Sequence, residues 1–141
     1  MKRFFDISVL VAVFYGDHPA HEAAIQCCRD ANPRTAFCAA HSVAELYAVM
    51  TRLPVRPAIS PEQCMLFVND LRERFTLVHL TGAEYVATVA SAAKAGLPGG
   101  KVYNALILAC AGKAGAEVVY TLNAREFDRI APDLGGQIQE P

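Results

Sequence analysis

Four short polar side chains attract attention because each carries oxygen atoms and lies beside or within an apolar segment. They are Asp6, Glu45, Asn104 and Asn123. Carboxylate and amide oxygens, without a cysteine cluster or a histidine pair, suit a hard ion such as Mg²⁺ or Mn²⁺. Such an ion can activate water for the hydrolysis of a phosphodiester bond. If the four side chains meet, the sequence predicts metal-dependent hydrolysis.

The two carboxylates also have ordinary structural explanations. Asp6 interrupts an apolar N-terminal run, where a buried charge is costly without a partner, but it could simply cap the helix that follows. Glu45 falls on a helix face with small alanines, and it could be a solvated carboxylate paired with Arg52 or His41. Taken alone, each residue leaves both interpretations open.

The two amides are equally ambiguous when they are considered singly. Asn104 lies on an almost wholly apolar predicted helix, where it could be a core amide satisfied by a neighbour. Asn123 directly follows a predicted strand and could form an Asx turn. Only the convergence of all four positions would favour a metal site.

The elements that must position these residues alternate between strand and helix, which is typical of a parallel sheet flanked by helices. We predict strands over 2–5, 35–39, 75–80, 117–121 and, weakly, 137–139. We predict helices over 8–15, 20–30, 42–52, 61–73, 81–95, 101–113 and 125–130. Asp6 and Asn123 then follow strands at the carboxyl edge of the sheet, where open α/β sheets bind ligands.

Two of the predicted helices have capping signals at their first residues. Ser42 could cap the helix over 42–52, with Glu45 at the capping-box position. Ser60 followed by Pro61 is a cap with proline at the first helical position. Both helices are therefore expected to start close to these serines.

The composition predicts one soluble domain spanning residues 1–141. The chain is 53% hydrophobic and 19% charged, which allows a core and argues against disorder. Its 13 basic and 14 acidic residues give a net charge of −1, which excludes a protein held on nucleic acid by bulk charge. Five cysteines without zinc-finger spacing, and no apolar run near the roughly 18 residues of a membrane span, predict a cytoplasmic protein with no membrane partner.

The sequence resembles a PIN-domain ribonuclease, specifically a VapC-type toxin of a bacterial or archaeal toxin–antitoxin pair. The matching blocks, in order, are FFDIS (4–8), AHSVAE (40–45), TRLP (51–54), GGKVYNALI (99–107) and TLNAREF (121–127). The resemblance implies a three-layer α/β/α sandwich with a mostly parallel central sheet of four to five strands. It also implies an endoribonuclease that uses Mg²⁺, with Mn²⁺ as a substitute.

The resemblance assigns roles to individual residues. Asp6, Glu45 and the residue at position 104 would be the acidic metal ligands of the catalytic site. Asn123 would occupy a fourth position, where the family has either aspartate or asparagine. Two hydroxyl groups, those of Ser8 and Thr121, would support the cluster.

One position departs from the family pattern, which has an aspartate where this sequence has Asn104. The lost charge matters, because a unit charge about 4 Å away is worth up to roughly 4 kcal/mol at an effective dielectric of 20. We therefore expect a weakened or inactive enzyme. Asn104 is either a natural residue or one introduced so that a toxic nuclease can be overproduced, and the sequence is compatible with both.

The resemblance also implies partners. They are a structured RNA substrate such as tRNA or rRNA, a VapB-type antitoxin, and a second copy of the chain in a homodimer. The predicted helices over 42–52 and 61–73 have enough apolar surface to form a groove for the antitoxin. Cations around an acidic site would hold the RNA backbone, and the candidates are Arg52, Lys101 and Arg125.

Two other functions compete with this interpretation. A catalytically silent PIN-like module would bind RNA or protein without cleaving it, and Asn104 is compatible with that alternative. A phosphatase of the haloacid-dehalogenase type also begins with an aspartate at a strand end. That class has a second aspartate two residues later, where this sequence has Ser8. The sequence therefore favours the ribonuclease over the phosphatase.

Overall fold

The computed structural model describes residues 1–141, which form five strands and seven α-helices. The strands are β1 (Arg3–Phe5), β2 (Ala36–Ala39), β3 (Thr76–Val78), β4 (Val118–Tyr120) and β5 (Ile138–Gln139). The helices are α1 (Ile7–Phe14), α2 (His21–Cys28), α3 (His41–Arg52), α4 (Pro61–Arg74), α5 (Gly82–Lys94), α6 (Lys101–Ala114) and α7 (Ala124–Ile130). A short 3-10 helix, Pro132–Leu134, precedes β5. None of the helices combines the length and hydrophobicity needed to cross a bilayer.

The sheet is parallel throughout and has the strand order β3-β2-β1-β4-β5. From β1 the chain moves outward through β2 to β3, and it then returns to place β4 on the other side of β1. A reversal of this kind leaves a crevice outside the carboxyl ends of the two central strands. Asp6 and Thr121 are the residues that directly follow those strands, β1 and β4.

Helices cover both faces of the sheet and create two apolar cores. Successive side chains of a strand point to opposite faces, so Phe5 and Phe4 belong to different cores. Phe5 packs with residues of α1 to α4, including Leu46. Phe4 packs with residues of α6 and α7, including Phe127. The predicted three-layer α/β/α architecture is confirmed, with all five strands parallel.

The predicted elements are all present, and their ends differ from the observed ones by no more than two residues. The cap at Ser60 is also confirmed. Its hydroxyl accepts from the Gln63 backbone N–H at 3.1 Å, and the Gln63 side chain accepts from the Ser60 N–H at 2.9 Å. These two bonds satisfy donors that the first turn of α4 would otherwise leave free.

The predicted capping box at Ser42 is wrong. Helix α3 begins one residue earlier, at His41, and Ala40 occupies the N-cap position. The Ala40 N–H is bonded to the Val78 carbonyl at 2.7 Å, so the chain passes directly from β2 into the helix. Ser42 therefore falls inside the first turn, where its buried hydroxyl has no hydrogen-bond partner. Glu45 makes no capping bond, so its carboxylate is available for other contacts.

The cysteines lie inside the fold as free thiols. Four are buried, and Cys27 is half-buried. Burial raises the pKa of Cys28 and of Cys38 to about 12. These thiols therefore stay protonated and pack as small apolar side chains.

A surface ion pair predicts one pH effect on stability. The Lys113 ammonium lies 2.6 Å from Glu84 Oε1 and lowers the pKa of that carboxyl from 4.5 to about 2, with help from the Thr81 backbone N–H. A depressed pKa in the folded state stabilises the fold above the unfolded value and loses that contribution as the pH falls toward about 2. We expect Glu84→Gln to melt at a lower temperature than the parent at pH 7. The difference should shrink between pH 4.5 and about 2 in paired thermal melts. An equal difference at every pH would contradict the assignment.

Candidate active site

The carboxylate of Asp6 lies buried at the carboxyl end of β1, with only 2% of the residue exposed. Ser8 Oγ donates to its Oδ2 at 2.7 Å, and Thr121 Oγ1 donates to the same oxygen at 2.9 Å. Although Asp6 occupies the N-cap position of α1, its side chain makes no capping hydrogen bond. The helix-cap explanation of this residue is therefore wrong, and the buried charge is instead held by two hydroxyls.

The same two hydroxyls also hold the loop that follows β4. Ser8 Oγ accepts from the Leu122 N–H at 3.0 Å, and Thr121 Oγ1 accepts from the Asn123 N–H at 3.0 Å. Each hydroxyl therefore donates to Asp6 and accepts from the loop after β4, and two of these bonds, from Thr121 to Asp6 and from Leu122 to Ser8, cross the crevice. The Asn123 residue is exposed and its side chain caps no helix. Its amide remains available to a ligand in the pocket that Asn123 shares with Ser8.

Glu45 is half-buried on α3, and its nearest charged neighbour is His41, one helical turn earlier. The two side chains approach to 3.2 Å between His41 Nε2 and Glu45 Oε1, without the alignment of a hydrogen bond. Both atoms are buried and have no other partner. The sequence offered two possible partners for Glu45, His41 and Arg52. The structure shows the contact with His41.

The charge of Asp6 affects the pKa of both Glu45 and His41. Burial raises the pKa of Glu45, and the negative charge of Asp6 raises it further. Burial also lowers the pKa of His41, while the charge of Asp6 acts in the opposite direction. The two carboxylates are therefore within electrostatic range of each other, although 41% of the Glu45 side chain is exposed. Two desolvated carboxylates in one neighbourhood create a negative potential that a cation would relieve.

Asn104 lies on α6, between two residues of that helix that line a pocket with Glu45. The residue is half-buried, and its side chain makes no hydrogen bond within the chain. Tyr103 and Leu106 of the same helix line a pocket of about 320 Å³ together with His41 and Glu45. The structure thus brings this part of α6 to Glu45, but no hydrogen bond joins Asn104 to the other three predicted ligands.

The donor set fits a hard cation, although weakly. No three His, Cys, Asp or Glu side chains come close enough together to hold a metal ion. The site contains two carboxylates, Asp6 and Glu45, and amides occupy the other two predicted positions. Glu45 Oε1 is a buried oxygen without a hydrogen-bond partner, and both hydroxyls at Asp6 use Oδ2 alone. Such oxygens suit Mg²⁺ or Mn²⁺.

Comparison with known proteins agrees with this geometry. The sequence pattern that defines the PIN domain matches residues 3–132. The chain belongs to the PIN-domain family. It is also 34% identical over 114 residues to ribonuclease VapC40 of two Mycobacterium tuberculosis strains, and the match covers 81% of each protein. The predicted relationship to VapC-type PIN domains is therefore confirmed.

Solved structures share the fold of this PIN domain at low sequence identity. Mycobacterium tuberculosis VapC20, described as a toxin that cleaves the sarcin–ricin loop, matches with a TM-score of 0.72 and 13% identity, covering 89% of this chain and 92% of its own. VapBC2 of Rickettsia felis, bound to promoter DNA, has a TM-score of 0.67 and 15% identity. DNA-bound VapBC of Salmonella typhimurium has a TM-score of 0.68 and 21% identity. Each of the last two matches covers 99% of this chain and 98% of the other.

The three cations predicted to hold RNA lie at the ends of helices. Arg52 ends α3, Lys101 begins α6, and Arg125 lies in the first turn of α7. All three are exposed and none forms an ion pair. Arg125 lines a pocket of about 210 Å³ with Asn123 and Arg129. Sequence reasoning overlooked Arg129, although its spacing of four residues from Arg125 places both on one helix face.

Proposed function

We propose that this protein is a VapC-type toxin that hydrolyses phosphodiester bonds of RNA with the help of Mg²⁺, for which Mn²⁺ can substitute. The observation that carries the proposal is the buried Asp6 carboxylate, fixed by Ser8 and Thr121 in the crevice of the sheet and electrostatically coupled to Glu45. The 34% identity to a VapC ribonuclease supports the same activity. The sarcin–ricin activity named for VapC20 favours a structured RNA, tRNA or rRNA, as the substrate class.

Four side chains would hold the ion: the carboxylates of Asp6 and Glu45 and the amide oxygens of Asn104 and Asn123. When bound, the ion supplies an activated water and offsets the charge on the leaving oxygen. The chain itself supplies position. Because Ser8 and Thr121 hold Oδ2 of Asp6, the carboxylate cannot turn away from the crevice. Arg125 and Arg129 lie beside Asn123, where cations would hold the RNA backbone against the repulsion of the carboxylates.

The amide at position 104 is proposed to weaken the enzyme. Asparagine keeps the shape of aspartate and can offer its carbonyl oxygen, but it brings no charge. The site then has two carboxylates to balance a divalent ion and to lower the energy of a phosphoryl transition state. We therefore propose that this form of the chain has low activity or none.

Replacement of Asn104 by aspartate tests the proposed function. We expect Asn104→Asp to bind Mn²⁺ more tightly and to cleave tRNA or rRNA at least about tenfold faster in Mg²⁺, because one added carboxylate strengthens the cation site. Gel assays of RNA cleavage and calorimetric Mn²⁺ titrations measure the two effects. Asn32→Asp, which adds the same charge in the loop before β2, is the matched control. A well-folded Asn104→Asp protein without nuclease activity would count heavily against a ribonuclease.

We also infer a VapB-type antitoxin as partner and a homodimer as the assembly. Helices α3 and α4 pack against each other, and three large apolar side chains on them remain exposed: Tyr47 (40%), Met65 (46%) and Leu66 (67%). Apolar side chains of this kind can receive one face of an amphipathic helix. The VapBC complexes among the structural matches support such a partner.

A catalytically silent PIN module that only binds RNA or protein is the second candidate. The observation that favours it is the lack of any three metal-binding acidic, histidine or cysteine side chains that meet. The same Mn²⁺ titration separates the two candidates. Absence of binding even after Asn104→Asp favours the silent module, whereas restored binding favours the nuclease.

A further inference from the structure

The pocket that Glu45 lines has an aromatic wall. Two tyrosines from different helices line it, Tyr85 of α5 and Tyr103 of α6, with Leu106 behind them. Tyr85 is 37% exposed and Tyr103 is 62% exposed, so neither ring is buried in the core. The volume of about 320 Å³ is at the lower end of the range for pockets that take small organic groups.

The polar groups of this pocket have unused hydrogen-bonding capacity. His41 Nε2 and Glu45 Oε1 lie 3.2 Å apart, and both are buried without a well-aligned hydrogen bond. An imidazole nitrogen can donate or accept, depending on its tautomer. No lysine or arginine lines the pocket, and its only charged acid is Glu45. A phosphate group would therefore be repelled, whereas a flat, uncharged group with a hydrogen-bonding edge would fit.

We propose that this pocket binds one unpaired RNA base, stacked on Tyr103 and Tyr85, with His41 at its hydrogen-bonding edge. The inference rests on the proposed function and adds a substrate requirement to it, namely a nucleotide whose base is extruded from a helix. Proteins recognise RNA sequence mainly through such unstacked bases, placed on aromatic side chains. Glu45 lines this pocket and is also a proposed ligand of the catalytic ion, so the bound base would belong to a nucleotide next to the cleaved bond.

Alanine variants of the two tyrosines test the pocket. We expect Tyr103→Ala and Tyr85→Ala to weaken binding of a labelled single-stranded RNA by about 5- to 100-fold, the effect of losing one base–aromatic stack. Tyr103→Phe should bind as the parent does, because the ring remains. Ile25→Ala is the control, since Ile25 of α2 is 37% exposed, as Tyr85 is, but lies outside the pocket. Fluorescence anisotropy with the parent chain and each variant gives the dissociation constants.

An RNA series with single abasic positions then tests whether a base is the occupant. One abasic position should weaken binding to the parent by a similar factor and have no further effect on a variant that carries both Tyr103→Ala and Tyr85→Ala. Equal binding by the parent, Tyr103→Ala and Tyr85→Ala would overturn the proposal. So would a change of oligomeric state in those variants by light scattering, which would assign the tyrosines to a protein interface.

Cleavage measured in parallel separates this proposal from the proposed function. In the Asn104→Asp chain, a Tyr103→Ala substitution should raise KM for RNA more than it lowers kcat. Cleavage with an unchanged KM would overturn the base pocket and leave the nuclease intact. Normal RNA binding that depends on both tyrosines, without any cleavage, would support the pocket and remove the nuclease.

Discussion

In a chain that carries Asn104→Asp, the further substitution Asp6→Asn is expected to lower RNA cleavage about 10³-fold. A unit charge about 4 Å from an ion is worth roughly 4 kcal/mol at an effective dielectric of 20, and each 1.4 kcal/mol is about a factor of ten in rate. Because both hydroxyls donate to Oδ2 alone, the carbonyl oxygen of asparagine can accept both bonds, and the substitution removes the charge with little change in position. Single-turnover cleavage of a fixed RNA in Mg²⁺ measures the loss.

The control for this prediction is Asp133→Asn, which removes an equal charge from an exposed residue of the 3-10 helix. It should cleave RNA at the rate of the Asn104→Asp parent. Circular dichroism must show that the Asp6→Asn protein is folded. Retention of full cleavage by a folded Asp6→Asn protein would place the catalytic centre elsewhere.

The second large effect is expected from Thr121→Val, which replaces a hydroxyl by a methyl group of similar size. Thr121 is fully buried, so water cannot replace the lost hydroxyl. Asp6 would lose one of its two donors, and the Asn123 N–H would lose its acceptor. Loss of such a supporting contact typically lowers metal affinity or activity by about 10- to 100-fold. The unsatisfied buried group should also lower the free energy of unfolding by about 1–3 kcal/mol.

Urea unfolding and Mn²⁺ titration of Thr121→Val and Thr121→Ser, each with Asn104→Asp, separate these effects. Thr121→Ser keeps the hydroxyl and loses a methyl group, so it should retain most of the metal affinity and bear only a packing cost. If valine and serine at position 121 gave the same Mn²⁺ affinity, the hydroxyl would have no role in holding Asp6 for the ion.

Sequence reasoning worked best where strand pattern and chemistry coincide. Asp6 follows a buried strand, and Thr121 and Asn123 follow another, so a parallel sheet places all three at one edge once the strand order is known. The apolar runs of the strands and the Ser60 cap are local signals. Local signals of this kind survive tertiary packing well, which is why the predicted element ends are close to the observed ones.

The errors and omissions come from contacts between distant elements. At the start of α3, the Ala40 N–H is bonded to the Val78 carbonyl of a distant strand. No residue near Ser42 in the sequence indicates this bond. The pairing of Tyr85 with Tyr103 in one pocket depends on how α5 packs against α6. Helix-to-helix packing of this kind carries no short-range signature, so the pocket could not be read from the sequence.

The hydroxyl contacts at Asp6 determine when the candidate site can form during synthesis. Thr121 lies 115 residues after the carboxylate it supports, and the loop it fixes is later still. A nascent chain on the ribosome therefore lacks one of the two donors to Asp6 until residue 121 has emerged. Prematurely terminated products would share this defect. The hydroxyl of Thr121 and the loop that it holds are therefore among the last parts of this site that synthesis can supply.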